Sequence, residues 1–574
     1  MLIGLDVGGT HTDAVLLDKI GLIRNVKVAT NPLDLFNTVL SGLDLLLDGI
    51  DPLKIKRIVL STTLTTNAIV QRRTKPVGII VSSGPGIDPK LFGRGKYYFP
   101  VAGSIDHRGR ERSPINPDEI LAVSEQLRHL GIKHVGVIGK FSPRNPFHEL
   151  LIKELIDKDF DKIFLGHQVS GNLNFPRRIA TVLLNTSVYS IHRSFFNAVK
   201  GSLEQKGLTT PIQILKADGG TMSLEASMDF PGQTILSGPA ASVMGAIAHA
   251  PANEDVLVLD IGGTTTDIAI LVDKAPLLEP VGIGRGRYQS LIRSLKTLSR
   301  GIGGDSHVRV KNGVIKIGPL RSGPALAFGG PEPTPTDAMI VLGIMTAGDR
   351  QKALDGMADI AGQLGTTPVQ AADTIFKTCC AMIVKVANKM VTQINSKPVY
   401  TVHEFLEGYQ IKPRKILLLG GPARFFAPEI ERQSGIETRS VPASSVANAI
   451  GAALARTTCE VSLSADTEQK IASAPEEDFS APIPRGYTED DVIETAYTLL
   501  HSKAIRAGSQ PEDLEIEVIE FQKFNIVRKF STQGKIYRAK LQVKPGLIKG
   551  YDNVYISLNE TFKESFKETM EGKC

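Results

Sequence analysis

The chain has 574 residues, 42% hydrophobic and 22% charged, and a net charge of +6 from 66 basic and 60 acidic side chains. This length exceeds one hydrophobic core and predicts two to four domains, while the composition excludes wholesale disorder. So small a charge, with no basic stripe interleaved with aromatics, excludes a nucleic-acid footprint; no apolar run approaches the roughly 18 residues of a membrane span.

The N-terminus, "MLIGLDVGG", enters a strand pattern directly, so no signal peptide is expected. Strands over "MLIGLDV" and "DAVLLDKIGLIRNVKVAT" precede a helix over "PLDLFNTVLSGLDLLLDGI", and "KRIVLSTTLTTNAIVQ" reads as strand, polar loop and helix start. From about 75 to 170, strands and helices keep alternating, which predicts an inserted α/β segment with a mostly parallel sheet. A long helix follows within 174–248, closing a first lobe of residues 1–248. The second lobe, 249–456, carries a glycine-rich stretch at 282–330, expected to be exposed and loop-rich near a site. It also carries a helix at Ala371 to Ile394 with Ile375, Cys379, Met382, Ile383, Val386 and Met390 on one face.

Residues 457–487 lack periodicity and read as a linker. Thr488 with Asp491 marks a capping-box helix start, opening a small α+β appendage at 488–574. Of the four cysteines, Cys379 and Cys380 are adjacent, and Cys459 and Cys574 are isolated. They form no CxxC pair, read as small buried hydrophobes and predict a reducing, cytoplasmic setting.

One phrase occurs twice: "LDVGGTHTDAVL" at Leu5 to Leu16 and "LDIGGTTTDIAI" at Leu259 to Ile270. A strand ending in Asp, then Gly-Gly-Thr-x-Thr-Asp and a second strand, predicts a β-hairpin whose turn exposes backbone N–H groups to a phosphate. Gly8, Gly9 and Thr10, with Gly262, Gly263 and Thr264, would cradle phosphates. Thr12 and Thr266 add hydroxyl donors, and Asp13 and Asp267 brace the hairpins. Asp6 and Asp260 would repel phosphate directly but suit a hydrated Mg²⁺ bridging it. Two copies, one per lobe, can grip a triphosphate from both sides. Neither GxxxxGK[ST] nor GxGxxG is present, so the better-known phosphate loops do not compete.

With this duplication the chain resembles the actin/Hsp70/sugar-kinase superfold, which implies a two-lobed α/β fold of duplicated ribonuclease H-like domains with ATP and Mg²⁺ in the cleft. "LLLGGPARF" resembles its adenosine loop, with Gly420, Gly421 and Pro422 at the turn. "LSGPAASVMGA", which holds Gly238, and "SSVANAIGAALAR", which holds Asn448, resemble its two connecting helices. Their Gly245, Ala246, Gly451 and Ala452 would permit close crossing.

The finer resemblance is to the hydantoinase A/oxoprolinase family. "STTLTTNAI" is similar to its GTTxxTNA, "FSPRNPFHE" to its FSYRNPxHE, "ILKADGGTMS" to its QSNGGLMS block and "PTPTDAMIVLG" to its PTVTDANLVLG. The resemblance implies ATP-dependent opening of a small cyclic amide. A poor lactam electrophile is activated by phosphoryl transfer to its oxygen, with a B-type partner subunit completing hydrolysis. A homo-oligomer is also compatible.

Thr62, Thr63, Thr66 and Asn67 are expected to offer neutral donors to substrate or γ-phosphate, or else to cap a helix. Arg144 and Arg178 would bind a carboxylate or serve in salt bridges. Departures from the pattern are His11, Asp218 in place of an asparagine, and, in "RSLKTLSRGIGGDS", Leu298 in place of a histidine and Asp305 in place of a glycine. These leave two other readings: an ATPase that remodels a partner enzyme, and a small-molecule kinase.

Overall fold

The computed structural model describes residues 1–558 except 32, 71–72, 94–95, 280–281, 286–287, 397–409 and 529–530. Cys574 lies outside the described residues, as does the end of the C-terminal appendage. Among the described residues no helix is long and apolar enough to cross a membrane.

The two lobes repeat one plan. In the first, Leu2–Val7 pairs antiparallel with His11–Leu17 on one side and parallel with Arg57–Thr62 on the other, and Ile212–Leu215 adds a further parallel strand. In the second, Asp255–Ile261 pairs antiparallel with Thr266–Val272 and parallel with Lys415–Leu419, and Glu437–Ser440 follows in parallel. The central strands are buried along their whole length, which accounts for their continuous aliphatic runs. This is the duplicated, two-lobed α/β fold that the repeated phrase implies. The inserted segment forms a four-stranded parallel sheet in the order Lys162–Leu165, His134–Gly139, Gly78–Ser82, Tyr98–Val101. The helix Phe175–Gln205 ties it to the first lobe, packing Ile179 and Val182 into the insert and Phe195, Phe196 and Val199 into the lobe.

The helices Ser237–Ile247 and Ala447–Leu454 lie between the two sheets and against each other. Their approach leaves no room for a side chain. A Cβ on Gly451 would sit 2.2 Å from the Gly245 nitrogen, and one on Gly245 would sit 2.4 Å from the Ala447 carbonyl oxygen.

Residues 457–487 are not a linker. Glu460–Asp466, Ile471–Ala474 and Phe479–Pro482 are strands of a five-stranded antiparallel sheet completed by Ser531–Val543 and Ile516–Arg528. Val461, Leu463 and Ala465 point inward in strict alternation, but their polar partners and the small alanines of the next strand mute the signal. Helix Glu489–Arg506 covers this sheet and begins with the expected Thr488–Asp491 capping box. The glycine-rich stretch departs from expectation at its centre: Ile302, Gly303, Gly304 and Ser306 are buried, because glycine lets that backbone close on the neighbouring hairpin. The helix Pro368–Asn395 buries Ile375, Cys379, Ile383 and Met390; Cys380 and Cys459 are likewise buried.

Filling the helix crossing must push two backbones apart. Gly451→Ala is expected to lower unfolding stability by about 2–3 kcal/mol. Gly362→Ala, at an exposed position of the helix Arg350–Leu364 with open space at the Cβ, should raise it by about 0.5–1 kcal/mol. Denaturant midpoints of the two variants check both.

Candidate functional site

The paired hairpins close identically. The Gly8 N–H donates to the His11 carbonyl at 3.0 Å, and the Gly262 N–H donates to the Thr265 carbonyl at 2.9 Å. This leaves the Gly9–Thr10 and Gly263–Thr264 amides at the two turn tips, where the former pair is exposed and the latter half-buried. Thr12 and Thr266, expected as phosphate donors, face the other way. Both are buried; Thr12 shares a hydrogen bond with the Thr30 hydroxyl at 2.9 Å, and Thr266 donates to the Ile302 carbonyl at 2.7 Å. Strand alternation puts them on the opposite face from Asp13 and Asp267.

Each hairpin sets two carboxylates side by side: Asp6 opposite Asp13, and Asp260 opposite Asp267. Burial, then Asp13 and Asp260, raise Asp6 to about 7. Burial, then Asp260 and Asp6, raise Asp267 to about 7. Asp13 is raised by burial, against the opposing pull of Lys27 at 2.5 Å. The two lobes thus bring four acids within electrostatic reach of one another. Asp260 Oδ2 accepts from the Ser242 hydroxyl at 2.6 Å and from Asn448 Nδ2 at 3.0 Å, so each connecting helix holds the same carboxylate. Among the described residues, Oδ1 of Asp6 and Oδ1 of Asp267 are buried without a hydrogen-bond partner.

The remaining expected residues gather around these carboxylates and glycine turns. Thr62 caps the helix Leu64–Val70, its Oγ1 accepting from the Leu64 N–H at 3.1 Å, and Thr66 Oγ1 accepts from the Leu236 N–H at 2.8 Å. Thr63 and Asn67 lie beside the first turn: a Cβ on Gly9 would come 3.4 Å from Asn67 Nδ2, and one on Gly238 would come 2.6 Å from Thr63 Cγ2. Gly420 has φ +96°, and a Cβ there would meet the Ile261 carbonyl oxygen at 2.1 Å and Asp260 Oδ1 at 2.9 Å. The turn therefore presses on the second hairpin, with Gly421 open beside it. Pro422 begins the helix Ala423–Ser434.

Arg178 and Arg144 are not at these turns. Arg178 is fully buried and donates to the carbonyls of Asn172, Gly139 and Lys140, whereas Arg144 donates to the Ser464 hydroxyl at 2.7 Å, fastening the insert to the C-terminal sheet. Asp218 is also spoken for. Despite burial, Lys216 and Arg293 hold it well below the usual carboxylate range.

Sequence reasoning missed Lys27, Ser242 and Arg321. Lys27 shares the register position of Asp13, a cross-strand pairing that the alternation of "LIRNVKVA" contains. Ser242 lies one helical turn from Gly238. Arg321, in a loop, offered no pattern; it pairs with Asp305 at 3.1 Å.

The raised acids set a pH dependence. Between Asp267's ordinary 3.8 and its folded value of about 7, the folded chain keeps a proton that the unfolded chain has released. The stability contributed is therefore full below about pH 4 and is lost as pH rises through 7. Asp267→Asn is expected to raise the thermal unfolding midpoint of the nucleotide-free protein at pH 8, with the gain shrinking toward pH 4. Unfolding scans across that range check it.

Sequence comparison matches residues 2–160 to the hydantoinase/oxoprolinase N-terminal region and residues 178–461 to hydantoinase/oxoprolinase. The caprolactamase alpha subunit of Pseudomonas jessenii is 24% identical over 416 residues, covering 64% of this chain and 60% of that protein. The acetophenone carboxylase gamma subunit of Aromatoleum aromaticum is 26% identical over 436 residues, covering 65% and 58%. The chain thus spans about three fifths of these relatives' lengths. Among solved structures, the fold is similar to nucleotide-free acetone carboxylase, with a TM-score of 0.72 and 16% identity. It is also similar to the ATP-dependent caprolactamase of P. jessenii, with a TM-score of 0.68 and 18% identity. Each covers 96% of this chain and 88% of the other. In motif order and in fold alike, the chain belongs to the hydantoinase/oxoprolinase family.

Proposed function

We propose that the chain binds ATP between its two hairpins and transfers the γ-phosphoryl group to the carbonyl oxygen of a small cyclic amide, as one subunit of an amidohydrolase. The observation that carries this reading is the convergence of two identical glycine turns and their Asp6 and Asp260 on one gap. The P–O bond to the β-phosphate breaks and an O–P bond to the amide oxygen forms, giving an imidate-like phosphate. Water adds at its carbon, the C–N bond breaks with the nitrogen taking a proton, and the acyl phosphate left behind is cleaved by a second water to the carboxylate and inorganic phosphate.

The turn amides of Gly9 and Thr10 and of Gly263 and Thr264 hold phosphate oxygens from opposite sides, while Gly8 and Gly262 close the turns behind them. Gly420, Gly421 and Pro422 support the nucleoside. Thr63 and Asn67, beside the first turn, orient the acceptor. Asp6 and Asp260 fit a hydrated Mg²⁺, which asks for one or two carboxylates rather than a protein cage. Among the described residues no cluster of three or more His, Cys, Asp or Glu side chains is spaced for a metal, whereas Asp6 Oδ1, buried without a hydrogen-bond partner, is an acceptor open to a cation once the carboxyl gives up its proton. When bound, the ion neutralises phosphate charge. Asn448 and Ser242 fix the orientation of Asp260 throughout. The relatives' names as alpha, beta and gamma subunits support a separate partner chain that completes hydrolysis. The absence of a membrane-crossing helix among the described residues fits a cytoplasmic setting.

One observation favours a second reading, an ATPase that drives a partner enzyme. Leu298 lies on the strand Thr297–Arg300 and packs against the second lobe's apolar core, where the family's histidine would stand.

Steady-state ATP turnover with hydantoin, 5-oxoproline and caprolactam, with and without a co-produced partner subunit, separates the readings. Stimulation by one of the lactams is expected; stimulation by protein alone would favour the second. Asp6→Ala and Asp260→Ala should each lower ATP turnover by roughly 10²–10³-fold, and unchanged turnover in both would overturn the nucleotide site.

A further inference from the structure

One cation of the second lobe reaches the gap and is not used above. Arg321 Nη2 donates to Asp305 Oδ2 at 3.1 Å, with the Arg321 side chain 24% exposed. Asp305 is itself pinned to the second phosphate turn: its N–H donates to the Gly263 carbonyl at 2.7 Å, and its Oδ2 lies 2.5 Å from where a Cβ on Gly263 would stand. A bare carboxylate so close to a phosphate cradle would repel the ligand, and Arg321 offsets that charge.

The guanidinium is only partly committed. Among the described residues its Nε is buried without a hydrogen-bond partner. Lys27, the cation beside the first hairpin, is by contrast held by Asp13 and by the Ser445 carbonyl at 3.3 Å. Arg321 also lies within electrostatic reach of the first hairpin. His11, on the first hairpin, is lowered by burial and then by Lys27, and it feels both Arg321 and Asp305 from the opposite lobe.

We propose that Arg321 is a catalytic residue that donates to the oxygens of the γ-phosphoryl group as it transfers, and that Asp305 is the positioning residue that aims it. The inference rests on the nucleotide reading above and adds a residue to it. A planar guanidinium presents parallel donors to two phosphate oxygens, and it contributes most when the transferring group's charge is spread over its equatorial oxygens. No proton moves to or from Arg321; it stabilises charge while one P–O bond breaks and another forms. Asp305, where the family pattern has glycine, suits this role. It occupies the space beside Gly263 and returns a cation to the same spot.

The test uses the full chain with MgATP and no acceptor, reading basal hydrolysis, ADP affinity by calorimetry and thermal unfolding for each variant. Arg321→Ala is expected to lower kcat by about 10²–10³-fold, with ADP affinity within about threefold and the unfolding midpoint unchanged. Arg321→Lys should recover only part of the loss, because a point charge lacks the fork. Millimolar guanidinium ion should restore part of the turnover of Arg321→Ala but none of that of Asp6→Ala. Asp305→Asn should fall between wild type and Arg321→Ala in kcat. Normal turnover in Arg321→Ala overturns the proposal, as does a loss accompanied by a lowered unfolding midpoint and no guanidinium rescue. Failure of the wild type to bind ADP instead removes the underlying nucleotide reading.

Discussion

Four carboxylates with little water around them are the constraint on which the structure turns. Like charges directly opposite one another on a ladder are unfavourable, and this chain does it twice, at Asp6–Asp13 and Asp260–Asp267, then points the pairs at each other. The fold offsets the repulsion only in part: Lys27 serves Asp13, while Ser242 and Asn448 serve Asp260. Asp6 and Asp267 are left holding protons up to about pH 7. A protein that stabilised itself first would have removed one acid from each pair. Keeping all four makes sense where a cation and a polyphosphate complete the charge balance, since the glycine turns beside them supply donors for the anion.

Convergence of this kind requires the two lobes to be held in register, and the crossing helices do that. Gly245 and Gly451 bring two backbones to a separation that even alanine would prevent. Each helix also hands a side chain to Asp260, Ser242 from one and Asn448 from the other. Relative motion of the lobes therefore passes directly into the geometry of that carboxylate. A change in crossing angle would alter how Asp260 is held, because one hydrogen bond to it comes from each helix.

Much of this was legible in the chain because the hairpins carry their signal in residue type: aliphatic run, Asp, two glycines, hydroxyls, Asp. The turn geometry follows from glycine, and the doubling implies the paired lobes. What the sequence hid has local causes. Thr12 and Thr266 read like phosphate donors, but residue type does not tell which strand face looks outward, and alternation turns both hydroxyls inside. The strands at 460–482 escaped because small alanines, Ala465, Ala472 and Ala474, take much of the inward duty there and contrast little with the serines between them. Arg178 reads as a carboxylate binder yet serves as a buried carbonyl clamp, a fate fixed by the insert's packing rather than by residue type. Arg321 reaches the phosphate turn through a loop, where no periodicity exists to announce it.

The Asp218 departure becomes intelligible once its neighbours are counted. The strand Ile212–Leu215 lies parallel to Arg57–Thr62, so Lys216 and Asp218 follow at the same end of the sheet as Thr62. There Asp218 meets Lys216 at 3.3 Å, Arg293 at 2.6 Å and the Thr458 hydroxyl at 3.0 Å, and Arg293 continues to Glu460 at 3.5 Å. First lobe, glycine-rich insertion and C-terminal sheet are thus joined by one buried charge chain. An asparagine at 218 would leave two buried cations short of an anion, a costly state, whereas the aspartate closes the balance. The exchange at 218 is therefore coupled to Lys216, Arg293 and Glu460. It makes this wall of a cavity of about 120 Å³ a fixed ionic junction that anchors the C-terminal unit to the first lobe.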